Sequence, residues 1–377
     1  MIKQTFFTFA AALSLAACRT DEPPLLPTTT AVAGSGGGAV QGFYLLNEGN
    51  MGSNKASLDY FDYATGVYSK NIFPSRNPHV ANELGDVGND IRIYGGKLYA
   101  VVNCSHLVEV MDVRTAVHIA AVSVPNCRYA AFHEGYAYVS SYAGPVQIDP
   151  NARLGYVAKI DTATLRVVDT CVVGYQPEEM AVRGNTLYVA NSGGYRAPAY
   201  DRTVSVIDLA TFAEIKKIDV GVNLHRMKKD SDGNLWVSSR GDYYGVPSSL
   251  YVIDAADRVA KRLPLAASNM ALAGDSLYIY STEWDYAANE QTVTYAIVNT
   301  KTQSIASHHF ITDGTAQRIA VPYGIAVNPD TREIFITDAK DYVTPGTLYC
   351  FSPAGALRWE VVAGDIPAHI VFHHKNF

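Results

Sequence analysis

The sequence predicts an all-β fold: a seven-bladed β-propeller of four-stranded antiparallel blades, its ring closed by pairing of the N- and C-terminal strands. Three observations predict it. A short strand with an aromatic second residue returns seven times, a polar turn follows the next strand, and a stretch of strand character is left over near the C-terminus.

The recurring strand reads Phe43-Tyr44-Leu45-Leu46, Leu98-Tyr99-Ala100-Val101, Ala137-Tyr138-Val139-Ser140 and Leu187-Tyr188-Val189-Ala190, then Leu235-Trp236-Val237-Ser238, Leu277-Tyr278-Ile279-Tyr280 and Ile334-Phe335-Ile336-Thr337. These copies lie about 40 to 57 residues apart, a spacing that suits propeller blades. Their aromatic and β-branched content is that of strands. The turn begins at Asp62, Asp112, Asp161, Asp208 and Asp254, and softens to Asn299 and Ser352 in the last two copies. Asp, Asn and Ser favour that place because their side chains bond the backbone two residues on, so each aspartate serves one hairpin and not a shared metal. The first blade lacks an innermost strand of its own. Ile366–Phe372 supplies one, which pairs the two ends and removes an open sheet edge.

Ahead of the propeller, Lys3 and an apolar run from Phe6 to Ala17 read as a secretory signal, too short to span a bilayer as a helix. Leu15-Ala16-Ala17-Cys18 resembles the lipobox of bacterial lipoproteins, in which the cysteine is acylated, so lipidation is expected at Cys18. The acidic Asp21-Glu22 that follow resemble the surface-export signal of Bacteroidota lipoproteins. The expected organisation is a signal over 1–18, a flexible Pro/Thr/Gly tether over 19–41 and the propeller over 42–377. The tether's composition cannot bury enough apolar surface to offset the entropy of ordering it.

The formal charge is −6, and Lys and Arg are scattered without a basic stripe, which argues against nucleic acid as a partner. Cys104, Cys127, Cys171 and Cys350 form no Cys-x-x-Cys pair, which argues against a zinc or redox centre; a disulfide and free thiols both remain open. No metal site is expected. Asp230-Ser231-Asp232-Gly233-Asn234 resembles the start of a calcium loop but falls where a hairpin turn is due.

Loops joining second to third strands, and blade to blade, emerge on one face of a propeller, and here they carry the unusual residues. There are 25 Tyr against 13 Phe, and a phenol needs a polar partner that a core does not favour. Candidate ligand contacts on these loops are Asn47, Asn103, Tyr142, Tyr175, Tyr195, Arg240, Tyr243, Tyr244, Trp284, Tyr286, Asp338 and Tyr342. Aligned starts of the innermost strands place Asp90, Arg128, Glu179, Arg226, Asn269, Gly324 and His369 around the channel mouth, beside Gln176, Glu178, His225 and Tyr323. Arg128, Glu179, Arg226, Asn269, Tyr323 and His369 complete the candidate set. Aromatic bodies with polar tips hold large amphipathic ligands at low entropic cost.

Phe43-Tyr-Leu-Leu-Asn-Glu-Gly-Asn50, Gly85-Asp-Val-Gly-Asn-Asp90, Asn103-Cys-Ser-His106 and Asn191-Ser-Gly-Gly-Tyr195 are similar to the BtuG-type surface lipoproteins of gut Bacteroidota. So are Ser239-Arg-Gly-Asp-Tyr243, Thr337-Asp-Ala-Lys-Asp-Tyr342 and Gly364-Asp-Ile-Pro-Ala-His369. The resemblance spans about Gly42 to His369. It implies a seven-bladed, YncE-like propeller, lipid-anchored at the outer membrane and exposed on the cell surface, that captures cobalamin (vitamin B12). Cobalamin would then be the transported ligand and not a cofactor, and the partner a TonB-dependent outer-membrane B12 transporter. The site list rests on loop positions and not on the resemblance. A corrin ring fringed with amides suits Asn, Asp, Ser, Arg and aromatic partners. The alternatives are another surface ligand (glycan, heme or peptide) or a propeller lactonase with a metal held by Glu48, Asn191, Asn269 and Asp338. No nucleophile elbow or His-Glu-x-x-His occurs, and a non-enzyme is expected.

Overall fold

The computed structural model describes residues 27–32, 36–80, 83–285 and 290–375. The signal with Cys18, and Tyr286, lie outside the described residues. Seven antiparallel sheets follow one another along the chain, six of four strands and the first of five. In the second blade, for example, Gly88–Tyr94, Lys97–Val102, Leu107–Asp112 and His118–Ser123 run in order from axis to rim. The first strands of successive blades pack against one another around the axis. The ring closes as the sequence predicts: Pro367–His374 pairs antiparallel with Val40–Asn47, setting Val371 opposite Tyr44 and His369 opposite Leu46.

The repeating aromatics fill the seams between blades, which explains their period. Tyr44 donates its hydroxyl to the carbonyl of Val113 in the next blade at 2.8 Å. Tyr99 packs on Phe132 with ring centroids 4.8 Å apart, and Phe335 on Phe43 at 4.9 Å. Trp236, Tyr44, Tyr99, Tyr138 and Phe335 are among the most deeply buried large side chains. Successive sheets therefore share their core, and no blade is a folding unit with a hydrophobic interior of its own.

The expected aspartate turns are present. Asp112 Oδ1 accepts from the amides of Arg114 and Thr115 at 2.9 and 3.0 Å, and Asp62, Asp161, Asp208 and Asn299 do the same two and three residues on. Each turn ends in a residue of positive φ, supplied by Gly66, Ala116, Leu165, Phe212, Asp257, Gln303 and Gly355. The pairing slips by one residue beside it in every blade after the first, the arrangement of a bulged hairpin.

The structure corrects the tether. Thr28–Ala31 is a strand, paired antiparallel with Val67–Lys70 at the rim of the first blade, with all four residues exposed. Ala39 donates its amide to Asp330 at 2.7 Å, and Val40 is fully buried. Backbone bonds to an open edge order this stretch although it buries no apolar side chain, a source of order that composition does not reveal. Thr28–Ala31 and Ala39, expected in the tether, thus join the fold. Cys104, Cys127, Cys171 and Cys350 are free, which resolves the choice left open by their spacing.

Candidate ligand-binding site

At or just past the top-face ends of second strands stand polar residues that fasten the loops framing the site. Asn47 Nδ2 donates to Ser57 Oγ at 3.0 Å, while its Oδ1 accepts from the amide of Gly364 at 3.1 Å. A Cβ on Gly364 would lie 2.6 Å from Asn47 Cγ, so only glycine permits this approach. Asn103 Nδ2 donates to the Cys127 carbonyl at 2.8 Å. Asp338 accepts from the amides of Val321 and Ala320 at 2.8 and 3.1 Å. Asn191 repeats the device toward Gly174, and Ser239 toward the Val222 carbonyl. Asn47, Asn103 and Asp338, expected to touch ligand, are instead buried and bonded to backbone. They satisfy loop groups that would otherwise be orphaned.

Below the loops the channel is charged in two tiers. In the lower, Arg92 binds Asp90 and Glu179 at 3.0 Å each, and Lys228 binds Glu179 from the other side. Glu179 also accepts the Met227 amide at 2.9 Å. Burial alone would raise the Glu179 carboxyl, but Lys228, Arg92 and Arg226 outweigh it and hold the group down at about 2. In the upper tier Glu178 receives Arg128 at 3.3 Å, Arg240 at 3.5 Å and the Tyr142 hydroxyl at 2.6 Å. Here too burial opposes ionisation, and the arginines overcome it to hold Glu178 below the usual range. Across the axis, Tyr323 donates to Glu48 at 2.8 Å and the same carboxylate meets His369 Nε2 at 3.2 Å. His225 Nε2 lies 3.0 Å from the Tyr129 hydroxyl. Burial first, then Arg240, Arg226 and Arg128, keep His225 well below its ordinary value, so it is neutral at pH 7.

Above this tier a cavity of about 850 Å³ opens on the top face over the fifth to seventh blades. His225, Arg226, Tyr280 and Tyr323 line its depth, and Arg240, Tyr243, Tyr244, Trp284 and Tyr342 its walls and rim. Tyr244 is 91% exposed, while Trp284, Tyr243 and Tyr342 are about half exposed. Tyr243 and Tyr342 hold φ of 65° and 64°, a left-handed backbone that bulky residues rarely adopt and that costs about 1–2 kcal/mol.

The cavity therefore gathers seven of the expected residues: Arg226, Arg240, Tyr243, Tyr244, Trp284, Tyr323 and Tyr342. Arg128, Tyr142 and His369 brace it from the adjoining wall through Glu178 and Glu48. Asn269 Nδ2 reaches the Tyr323 carbonyl at 3.3 Å and positions that tyrosine. Glu179 sits in the lower tier, beside a second cavity. Tyr175 lies under the Arg196 guanidinium at 3.6 Å, and Tyr195 packs edge-on against Tyr142, so both prop loops at the side. Tyr129 and Tyr280 escaped the sequence reading. Tyr129 follows the candidate Arg128 and Tyr280 stands two places after the repeating Tyr278, but neither lies on a loop.

The residues that would imitate a lactonase metal set are engaged separately: Asn191 with Gly174, Asp338 with Val321, Asn269 with Tyr323 and Glu48 with His369. Among the described residues no three His, Cys, Asp or Glu side chains are grouped so as to hold a metal.

Fold and site together define a seven-bladed propeller with a cavity on its top face. The chain belongs to the family described as a domain of unknown function, DUF5074, which matches residues 41–354. No curated protein matches it. Its fold is similar to that of a quinonprotein alcohol dehydrogenase-like protein from Bacteroides thetaiotaomicron, at 13% identity and a TM-score of 0.60, covering 89% of this chain and 78% of that one. A candidate 6-phosphogluconolactonase from Bacteroides fragilis gives 12% identity and 0.59, covering 88% and 97%. Hydrazine synthase of Kuenenia stuttgartiensis gives 17% and 0.59, covering 75% and 88%. At such identities the likeness is one of fold alone.

Proposed function

We propose that this propeller captures cobalamin or a related corrinoid in its top-face cavity and passes it to a TonB-dependent outer-membrane transporter. In this reading it is held at the cell surface through a lipid on Cys18. The observation that carries the proposal is the cavity itself: a half-exposed aromatic rim of Tyr243, Trp284 and Tyr342 above a floor of buried donors. Flat rings hold the edge of a broad amphipathic ligand, and arginine and phenol groups bond its amides. The closed ring and the buried loop fastenings keep those groups in place before binding, which lowers the entropy lost on association. The reading is one of binding and not of turnover, because the cavity's exposed rim is aromatic and its histidine is neutral and engaged by Tyr129.

Isothermal calorimetry of a soluble form beginning at Arg19, which keeps the rim strand, tests it with cyanocobalamin. Nanomolar or tighter binding, lost in a Tyr243→Ala, Trp284→Ala double variant, is expected. Absence of both heat and spectral shift would remove the corrinoid and turn attention to glycan, heme or peptide. The same face is proposed to meet the transporter, enclosing the ligand. Charge reversal at Glu283, Asp285 and Lys340 is expected to weaken that complex, and an unchanged complex would exclude this face.

A further inference from the structure

The floor of the cavity holds a cation with no direct polar partner, on which Glu179 and Glu48 act only from a distance. Arg226 is only 8% exposed, yet its guanidinium makes no hydrogen bond and no ion pair among the described residues; its Nε is enclosed and unsatisfied. What it has is the face of Tyr129, 5.1 Å away. Burying a cation without a direct hydrogen-bonded partner is costly, and proteins ordinarily pair it. The nearby carboxylates are already taken: Glu178 by Arg128, Arg240 and Tyr142, Glu179 by Arg92 and Lys228, and Glu48 by His369 and Tyr323. The cavity's remaining acid, Glu283, is exposed at the rim.

Two further donors converge on the same floor. His225 Nδ1 is buried without a partner. In the neutral tautomer whose Nε2 accepts from Tyr129, Nδ1 carries the hydrogen and is a donor. Arg240 contacts Glu178 through one nitrogen at 3.5 Å, is 30% exposed, and keeps its other N–H groups unengaged. Consecutive strand residues normally face opposite ways. The pairing slips between Leu224 and Met227, and that bulge lets both His225 and Arg226 line the cavity.

We propose that this floor is a receptor for an oxyanion, so that the captured molecule carries a phosphate ester or a carboxylate, which Arg226 takes with Arg240 and His225 beside it. The inference deepens the capture reading and rests on the cavity being the capture site. A guanidinium with free N–H groups matches two oxygens of either anion, and the largely buried surroundings of Arg226 strengthen the bond. The ligand supplies the missing countercharge.

The test compares the soluble protein with Arg226→Gln and Arg226→Lys. Inorganic phosphate, dimethyl phosphate and acetate are titrated against fluorescence of Trp284 in the same cavity, cyanocobalamin against calorimetry, and each variant is melted. The wild type is expected to bind at least one anion, and Arg226→Gln to weaken it about tenfold or more, with Arg226→Lys between the two. A phosphate preference assigns a phosphoester, an acetate preference a carboxylate. The melting temperature of Arg226→Gln is expected to hold or rise, because the variant removes an unpaired buried charge; a merely structural arginine would lower it. Equal anion binding by wild type and Arg226→Gln, or none by either, overturns the receptor. Cobalamin bound equally by both proteins overturns it too and leaves corrinoid capture standing. Cobalamin bound by neither, with an anion bound by the wild type and weakened in Arg226→Gln, ends the corrinoid reading and keeps the receptor.

Discussion

Asn47 and Tyr243 differ in what they do, although both were legible as unusual loop residues. Asn47 is sealed under the loops with its amide shared between Ser57 and Gly364, whereas Tyr243 stands half exposed on the cavity wall in left-handed backbone. Removing the first leaves a buried amide N–H unsatisfied, so Asn47→Ala is expected to lower stability by about 1–3 kcal/mol in denaturant unfolding while ligand affinity stays unchanged. A loss of affinity without a loss of stability would return Asn47 to the ligand. Glu179 makes a second test at this scale. Its carboxyl is held at about 2 in the fold against an ordinary 4.5, so below pH 4.5 the unfolded chain binds the extra proton. Its contribution is therefore complete above pH 4.5 and fades as pH falls toward 2. Unfolding free energy measured across that window is expected to fall less steeply in Glu179→Gln, although the variant starts less stable at pH 7. An identical slope would show that the lower ion cluster does not govern acid sensitivity.

Among the elements, the strands that repeat were readable and the ones that do not were hidden. Tyr44, Tyr99, Tyr138 and Trp236 announce their strands because each fills an inter-blade seam of the same shape. Asp62, Asp112, Asp161 and Asp208 announce hairpins because a carboxylate bonding its own turn is a local matter. Thr28–Ala31 gives no such signal, since its order comes from an edge formed far along the chain by Val67–Lys70. The bulge at His225 and Arg226 was equally silent: it is a matter of register, and register depends on the partner strand. A chain beginning at residue 36 is expected to lose about 1 kcal/mol. It also uncovers the outer edge of the first blade, so it is expected to form dimers as its concentration rises, seen by light scattering. A monomer of unchanged stability would show that the strand is ornamental.

Over the whole molecule, the charges divide into a lower tier that closes on itself and an upper tier that does not. Asp90, Arg92, Glu179 and Lys228 satisfy one another, while Arg128 and Arg240 share Glu178 and Arg226 is left over. Sequence reading found the ring of polar residues at the innermost strand starts but not this division, because which acid meets which base depends on how far down the axis each side chain sits. Closure of the ring by Pro367–His374 has a further consequence, in time and not in space. A chain that emerges from its N-terminus delivers the outer strands of the first blade earliest and the innermost one last of all. Until that strand arrives, His369 is missing from the axis and Glu48, which also accepts from Tyr323, lacks it as a partner. The first blade, whose other strands are made earliest, therefore stays incomplete until the strand that follows the seventh blade has been made.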